Sequence, residues 1–254
     1  MFNLNYLMTN TYLYDGRFSS LIVLIMDLLK VNKVPDNIKS VKEYKENLFD
    51  EVINLNIDRK KFEHIKRVLN NKILNYAYHT FLSNEDNKEI LIYNFLRYAL
   101  IYEDKVLFYR KIESINSVIK ISSKVLHEAH KLKGFLRFKK MSNNFYYAKV
   151  EPTNNVIGIL AKHFKNRLNN QCWIINDSKR HIYVLYDMNK IIYLNENDIL
   201  KLNLNYSYDE LFIEELWKTF FKTIGIKERE NRRCQMNFMP KKYWNNMIEM
   251  ESEI

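Results

Sequence analysis

The spacing of apolar residues changes period near Gly134, and that change narrows the possible folds more than any other feature of the chain. Before it, Leu21, Leu24, Ile25, Leu28 and Leu29 recur at helical intervals, as do Phe62, Ile65, Leu69, Ile73 and Tyr76 within a helix predicted from Arg59 to Leu82. Two more helices are predicted over residues 88–102 and 112–132, with Gly134 standing where a C-terminal cap would be. One short strand, residues 12–14, precedes them and ends in the turn pair Asp15-Gly16. After Gly134, residues 135–140 and 145–151 alternate apolar with polar side chains across Ser142-Asn143-Asn144, a hairpin pattern. A helix over 155–168, strands over 172–176, 181–186 and 190–194, and helices over 208–224 and 240–250 complete the chain.

Helices first and hairpin-linked strands later predict an α+β fold, with a helical N-terminal half packed with a mainly antiparallel sheet in the C-terminal half. Only four Gly and three Pro occur in 254 residues, so no flexible linker can be placed. A single domain over 1–254 is expected, helix-rich in 12–133, sheet-containing in 134–207 and closed by helices in 208–250.

The same scarcity excludes several functions. With Gly only at 16, 134, 158 and 225, neither a dinucleotide fingerprint nor a phosphate-binding loop of the Walker type can be written. Cys172 and Cys234 are too few for a thiolate zinc or iron–sulfur site, and both are expected to pack in the interior. The longest apolar run, residues 21–29, is broken by Asp27 and falls short of the ~20 residues of a bilayer span, so it predicts a buried helix and no membrane partner. Nothing at the N-terminus has the composition of a secretory signal, and a cytoplasmic location is expected. No cofactor is implied.

Charge is distributed unevenly. Residues 124–167 hold ten Lys/Arg against two acids, and residues 215–242 hold eight against three, although the whole chain carries only +10. Interleaved with Phe, Tyr and Trp, such segments suit a polyanion with aromatic faces, which is nucleic acid. On the predicted hairpin, Leu136, Phe138, Tyr146, Ala148 and Val150 point to the core, leaving Arg137, Lys139, Tyr147 and Lys149 outward, joined by Lys131 and Lys133. His163 and Arg167 sit on the next helix. In the helix over 208–224, Phe212, Ile213, Leu216, Trp217, Phe220, Phe221 and Ile224 form a stripe expected in the core, with Lys218 and Lys222 opposite; Arg229, Arg232, Arg233, Lys241 and Lys242 extend the cations.

His127-Glu128-Ala129-His130 is the one cluster with catalytic character, because imidazole titrates near neutrality beside a carboxylate. His127 and His130 share a helix face and could ligate a metal with Glu128 or His163, but their spacing is not that of His-Glu-x-x-His enzymes, and no metal is expected.

Seven ordered stretches carry a resemblance: Tyr12-Leu-Tyr-Asp-Gly16, His127 to Phe138, Tyr147-Ala-Lys-Val-Glu-Pro152, Trp173-Ile-Ile175, Leu216 to Ile224, Ile226-Lys-Glu-Arg229 and Phe238-Met-Pro-Lys-Lys-Tyr-Trp244. Together they resemble a bacterial family described as DNA metabolism or DNA repair proteins of unknown function. The likeness starts after Asn10, which makes Met8 an alternative start. It implies DNA rather than RNA as the ligand, and a radical S-adenosylmethionine protein of DNA repair, encoded beside such genes, as the partner. Some members are joined to a uracil-DNA glycosylase-like domain. It assigns no catalytic residue. The chain departs from the family pattern at Glu230 and Arg232, where a basic residue and a proline are expected.

These readings combine into a nucleic-acid-binding accessory protein acting with a partner enzyme through a basic, aromatic surface. Two alternatives stay open: a glycosylase- or nuclease-like enzyme using His127, Glu128 and His130, and an interaction module docking on an acidic protein.

Overall fold

The computed structural model describes residues 9–47, 50–54, 60–200, 202 and 204–253, so Met8 and Arg59 lie outside the described residues. The chain forms two compact units, residues 1–126 and 127–254. Their division falls inside a helix, Glu113–Phe135, which is why no Gly- or Pro-rich stretch marks it in the sequence.

In the first unit, β1 (Thr9–Tyr14) is followed by α1 (Phe18–Lys30), β2 (Asn37–Ser40) and β3 (Asp50–Asn54). Gly16 takes φ +79° in the turn between β1 and α1, a conformation a side chain would strain. Both β2 and β3 pair in parallel with the central β1, in register Thr11 with Asn37 and Thr9 with Asp50. The sequence reading expects a single strand here. Asn-Ile-Lys-Ser and Asp-Glu-Val-Ile-Asn are short and carry few apolar residues, so parallel pairing to a distant strand makes them strands, not their own propensity. α1 is buried along Leu21, Ile22, Val23, Leu24 and Ile25, as its apolar run predicts.

The helix expected to run to Leu82 is two helices, α2 (Lys60–Val68) and α3 (Asn71–Phe81). Asn70 breaks it: its side chain accepts from the Lys72 amide at 2.7 Å and caps the second helix. α4 (Lys88–Tyr102) matches its predicted span, and α5 (Glu113–Phe135) closes the unit. Tyr14 Oη donates to Glu89 Oε1 at 3.0 Å in this interior, tying β1 to α4.

The second unit holds the end of α5 and a five-stranded sheet in the order β4-β5-β6-β7-β8. The strands are β4 (Lys139–Lys140), β5 (Tyr146–Val150), β6 (Trp173–Asp177), β7 (Ile182–Tyr186) and β8 (Ile191–Leu194). Three of its four pairings are antiparallel; β5 and β6 run parallel because α6 (Ile157–Arg167) crosses between them. The α+β class and the mainly antiparallel sheet are thus observed. α7 (Glu196–Leu200), α8 (Glu210–Thr223) and α9 (Arg232–Phe238) follow. The helix expected over 240–250 is instead two 3-10 segments, Lys241–Asn246 and Ile248–Glu253, interrupted by an extended Met247.

α8 overturns one expectation. Phe212, Leu216, Phe220 and Ile224 are exposed, with Phe212 at 66%, whereas Glu210 and Glu214 are the buried residues. The carboxylates hold that face inward: Glu210 Oε2 accepts from the Lys140 amide at 2.8 Å, and Glu214 pairs with Lys139 at 2.7 Å. Phe221 alone of the predicted stripe packs with the small core of Trp244, Met247 and Met250. Cys234 is likewise exposed, not interior; Cys172 is partly buried.

Candidate functional site

α5 does not end on Gly134, which lies within the helix. Its last carbonyls are met by Arg137, whose Nη1 donates to Gly134 O at 2.8 Å, so a guanidinium does the capping that the glycine was expected to allow. The same side chain pairs with Glu249 through Nη2 and donates from Nε to Glu249 Oε2 at 3.2 Å. Trp217 Nε1 also donates to Glu249, at 3.1 Å.

The outer face of the hairpin has the predicted residues, yet its charges are matched. Lys139 pairs with Glu214, and Lys149 pairs with Glu151 at 3.0 Å. Asn176 Nδ2 donates to Tyr147 Oη at 2.7 Å, and burial raises the phenol pKa. A face balanced in this way attracts a polyanion weakly.

Glu128 serves structure. It is 6% exposed and accepts from the amides of Thr153 and Asn154, both at 2.8 Å, from Tyr243 Oη at 3.0 Å and from Lys242 Nζ at 3.3 Å. Burial by itself would raise its pKa, but the two amides, Lys242 and the Asn154 side chain hold it below the ordinary carboxylate value. Such a carboxyl is a poor proton donor near neutral pH. His127 and His130 are exposed, and the groups bonded to Glu128 include neither. Among the described residues no cluster of three or more His, Cys, Asp or Glu could hold a metal.

A different grouping emerges at the end of α5. His130, Lys133 and Gly134 form one side of a cleft of about 860 Å³, and His163, Phe164 and Arg167 of α6, with Leu168 just after it, form another. Leu136, Arg137 and Phe138 supply the connecting wall, completed by Tyr146 and Gln171. The i, i+3 spacing of His130 and Lys133 and the i, i+4 spacing of His163 and Arg167 put each pair on one helix face. Five basic side chains line the space and no carboxylate does. Burial first, then the charges of Lys133 and Arg167, lower the His163 pKa, so the imidazole reports a positive neighbourhood. Lys133 and Arg167 have no carboxylate partner among the described residues.

The fold therefore brings His130, Lys133, Arg137, His163 and Arg167 together and leaves the other predicted residues elsewhere. Lys218 pairs with Glu215 at 3.4 Å. Arg232 and Lys241 stand over the Trp244 ring at 5.9 and 5.6 Å, and Lys242 over Tyr243 at 4.6 Å. Lys222, Arg229 and Arg233 are exposed and Lys131 half-buried, none of them lining the cleft. Sequence reasoning missed Phe138, Tyr146, Phe164 and Gln171 as cleft residues. The first three read as core by alternation and helical period, and Gln171 sits in a loop with no periodic signal.

Neither the curated proteins nor the solved structures include a match to this chain. Residues 86–249 match the model of the family described as "Domain of unknown function (DUF4130)", more than half of the chain, and the protein belongs to that family.

Proposed function

We propose that the protein is a nucleic-acid-binding accessory factor, acting on DNA beside a partner enzyme of DNA repair or metabolism. The observation that carries this reading is the carboxylate-free cleft of Lys133, Arg167, His130 and His163, set among apolar and aromatic walls. Two cations without carboxylate partners in a concave site favour an anionic ligand, and the partly buried rings at its wall favour a base. The choice of DNA, and of a radical S-adenosylmethionine protein as partner, rests on the family resemblance.

Fluorescence anisotropy with labelled single- and double-stranded oligonucleotides tests the proposal. If the two unpaired cations of the cleft neutralise about two phosphates of a single strand, log K falls against log salt with a slope of about −1.4. Absence of binding to either form at low salt removes the reading.

An enzymatic role is favoured by one feature only, the presence of two imidazoles, His130 and His163, in one cleft. Glu128 is not part of that pair. Gel analysis of the same oligonucleotides after incubation decides it, since cleaved or base-free products require chemistry and an accessory factor yields none.

A further inference from the structure

Arg137 pairs with Glu249, Lys139 with Glu214, Lys149 with Glu151, Arg180 with Asp177 and Lys242 with Glu128. The cleft gathers polar groups that are not engaged in this way. The side chains of Lys133 and Arg167, the Tyr146 hydroxyl and the Gln171 side-chain amide line it with no hydrogen-bond or ion-pair partner among the described residues. Beside them lie the rings of Phe138 and Phe164, in edge contact at 5.1 Å, and the side chains of Leu136 and Leu168. Its volume of about 860 Å³ falls within the range that holds whole small ligands.

Two cations call for an anion, the apolar wall calls for a flat or hydrophobic body, and an unpaired amide and hydroxyl call for a polar edge on that body. A nucleotide has all three. The absence of any carboxylate in the lining separates two kinds of nucleotide. A free nucleoside triphosphate travels with Mg²⁺, which protein sites hold through carboxylates, whereas a phosphodiester in a strand carries one charge and needs no metal. A base still paired in a duplex keeps its faces stacked and its edge engaged, so the base with least to lose on entering the cleft is unpaired or mispaired.

We propose that the cleft between α5 and α6 seats a single unpaired nucleotide of a nucleic-acid strand, its phosphate on Lys133 and Arg167, its base against the Phe138, Phe164 and Leu168 wall, and its edge on Gln171 and Tyr146. This deepens the nucleic-acid reading and rests on it. Gly134 offers an independent handle, because a Cβ added there meets no atom within 4 Å while the residue lines the cleft. A larger side chain at that position enters the space without disturbing the interior, and replacing a helical glycine does not weaken α5.

The test is anisotropy on three duplexes of one sequence: fully paired, with a single-nucleotide bulge carrying 2-aminopurine, and with an abasic bulge. The protein should bind the 2-aminopurine bulge about tenfold tighter than the paired duplex and should change its emission, with the abasic bulge losing most of that advantage. In Gly134→Leu and in Lys133→Gln/Arg167→Gln the preference should vanish, while circular dichroism stays that of the parent. Equal binding to all three duplexes by the wild type, or retention of the preference in the variants, overturns the nucleotide pocket and leaves general DNA binding standing. No binding to any duplex overturns the nucleic-acid reading itself, and the pocket with it. Displacement of the bulged duplex by free deoxyadenosine monophosphate as effectively as by unlabelled strand overturns the strand ligand in favour of a free nucleotide.

Discussion

Tyr243 Oη donates to Glu128 Oε1 at 3.0 Å across 115 positions of sequence. The contact closes the C-terminal 3-10 turn onto α5, and the same carboxylate holds the loop amides of Thr153 and Asn154 that precede α6. Glu128 thereby sets where α6 lies relative to the end of α5, which is what makes the cleft.

Glu128→Gln should therefore destabilise the second unit by about 2–4 kcal/mol, because an amide nitrogen would face donors and leave part-buried N–H groups and the Tyr243 hydroxyl short of an acceptor. Urea unfolding followed by tryptophan fluorescence measures this. A change below about 0.5 kcal/mol, the size of an ordinary surface substitution, would show that Glu128 holds nothing together.

Acid should act oppositely on the two units. In Glu249, burial raises the pKa but the Arg137 hydrogen bonds and charge, with the Trp217 indole, bring it below the ordinary value, as the amides and Lys242 do for Glu128. Stability from these groups is present above the unfolded value near 4.5 and is lost as pH falls through the lower folded values. Glu89 goes the other way: burial raises its pKa despite Tyr14, so its penalty is absent below 4.5 and grows as pH rises through the folded value. Glu89→Gln should remove that rise in penalty and flatten the pH dependence of the first unit above about 4.5, measured by urea midpoints at several pH values. An unchanged pH profile in this variant would contradict the assignment.

The outward face of α8 predicts unusual tolerance. Phe212→Ser and Phe220→Ser should change unfolding free energy by no more than about 0.5 kcal/mol, as surface positions do. Trp244→Ala, which empties a site only 2% exposed, should cost about 3–5 kcal/mol. If the two phenylalanine variants unfold as readily as the tryptophan variant, the stripe is core and α8 is turned the other way.

DNA affinity should rise on acidification. The His163 pKa lies below 6.5 through burial and the charges of Lys133 and Arg167, so the free cleft holds this imidazole neutral at pH 7. A bound phosphate favours the protonated ring, and affinity should increase as pH drops through the His163 range. His163→Gln should abolish the part of this increase that the ring supplies. Anisotropy titrations at constant ionic strength provide the comparison.

Much of the local structure was legible. α1, α4, α6 and strands β5 to β8 follow from side-chain spacing, because helical and strand periods are properties of neighbouring residues. Clustering of cations in two segments was equally plain. Asn70 could have been read as a cap splitting the long helix, since Asn is a favoured residue at that position.

Residues 124–167 alone specified a helix, a hairpin and a second helix bearing His130, Lys133, His163 and Arg167 on defined faces. The tertiary fold chose which of the cations stay available: Arg137 meets Glu249 from 112 positions away and Lys139 meets Glu214, while Lys133 and Arg167 meet no carboxylate among the described residues. The same long-range contacts turned α8 apolar side out. Spacing is written in adjacent residues, but the partner of a charge depends on which distant side chain the folded backbone delivers beside it, and no window of sequence contains both.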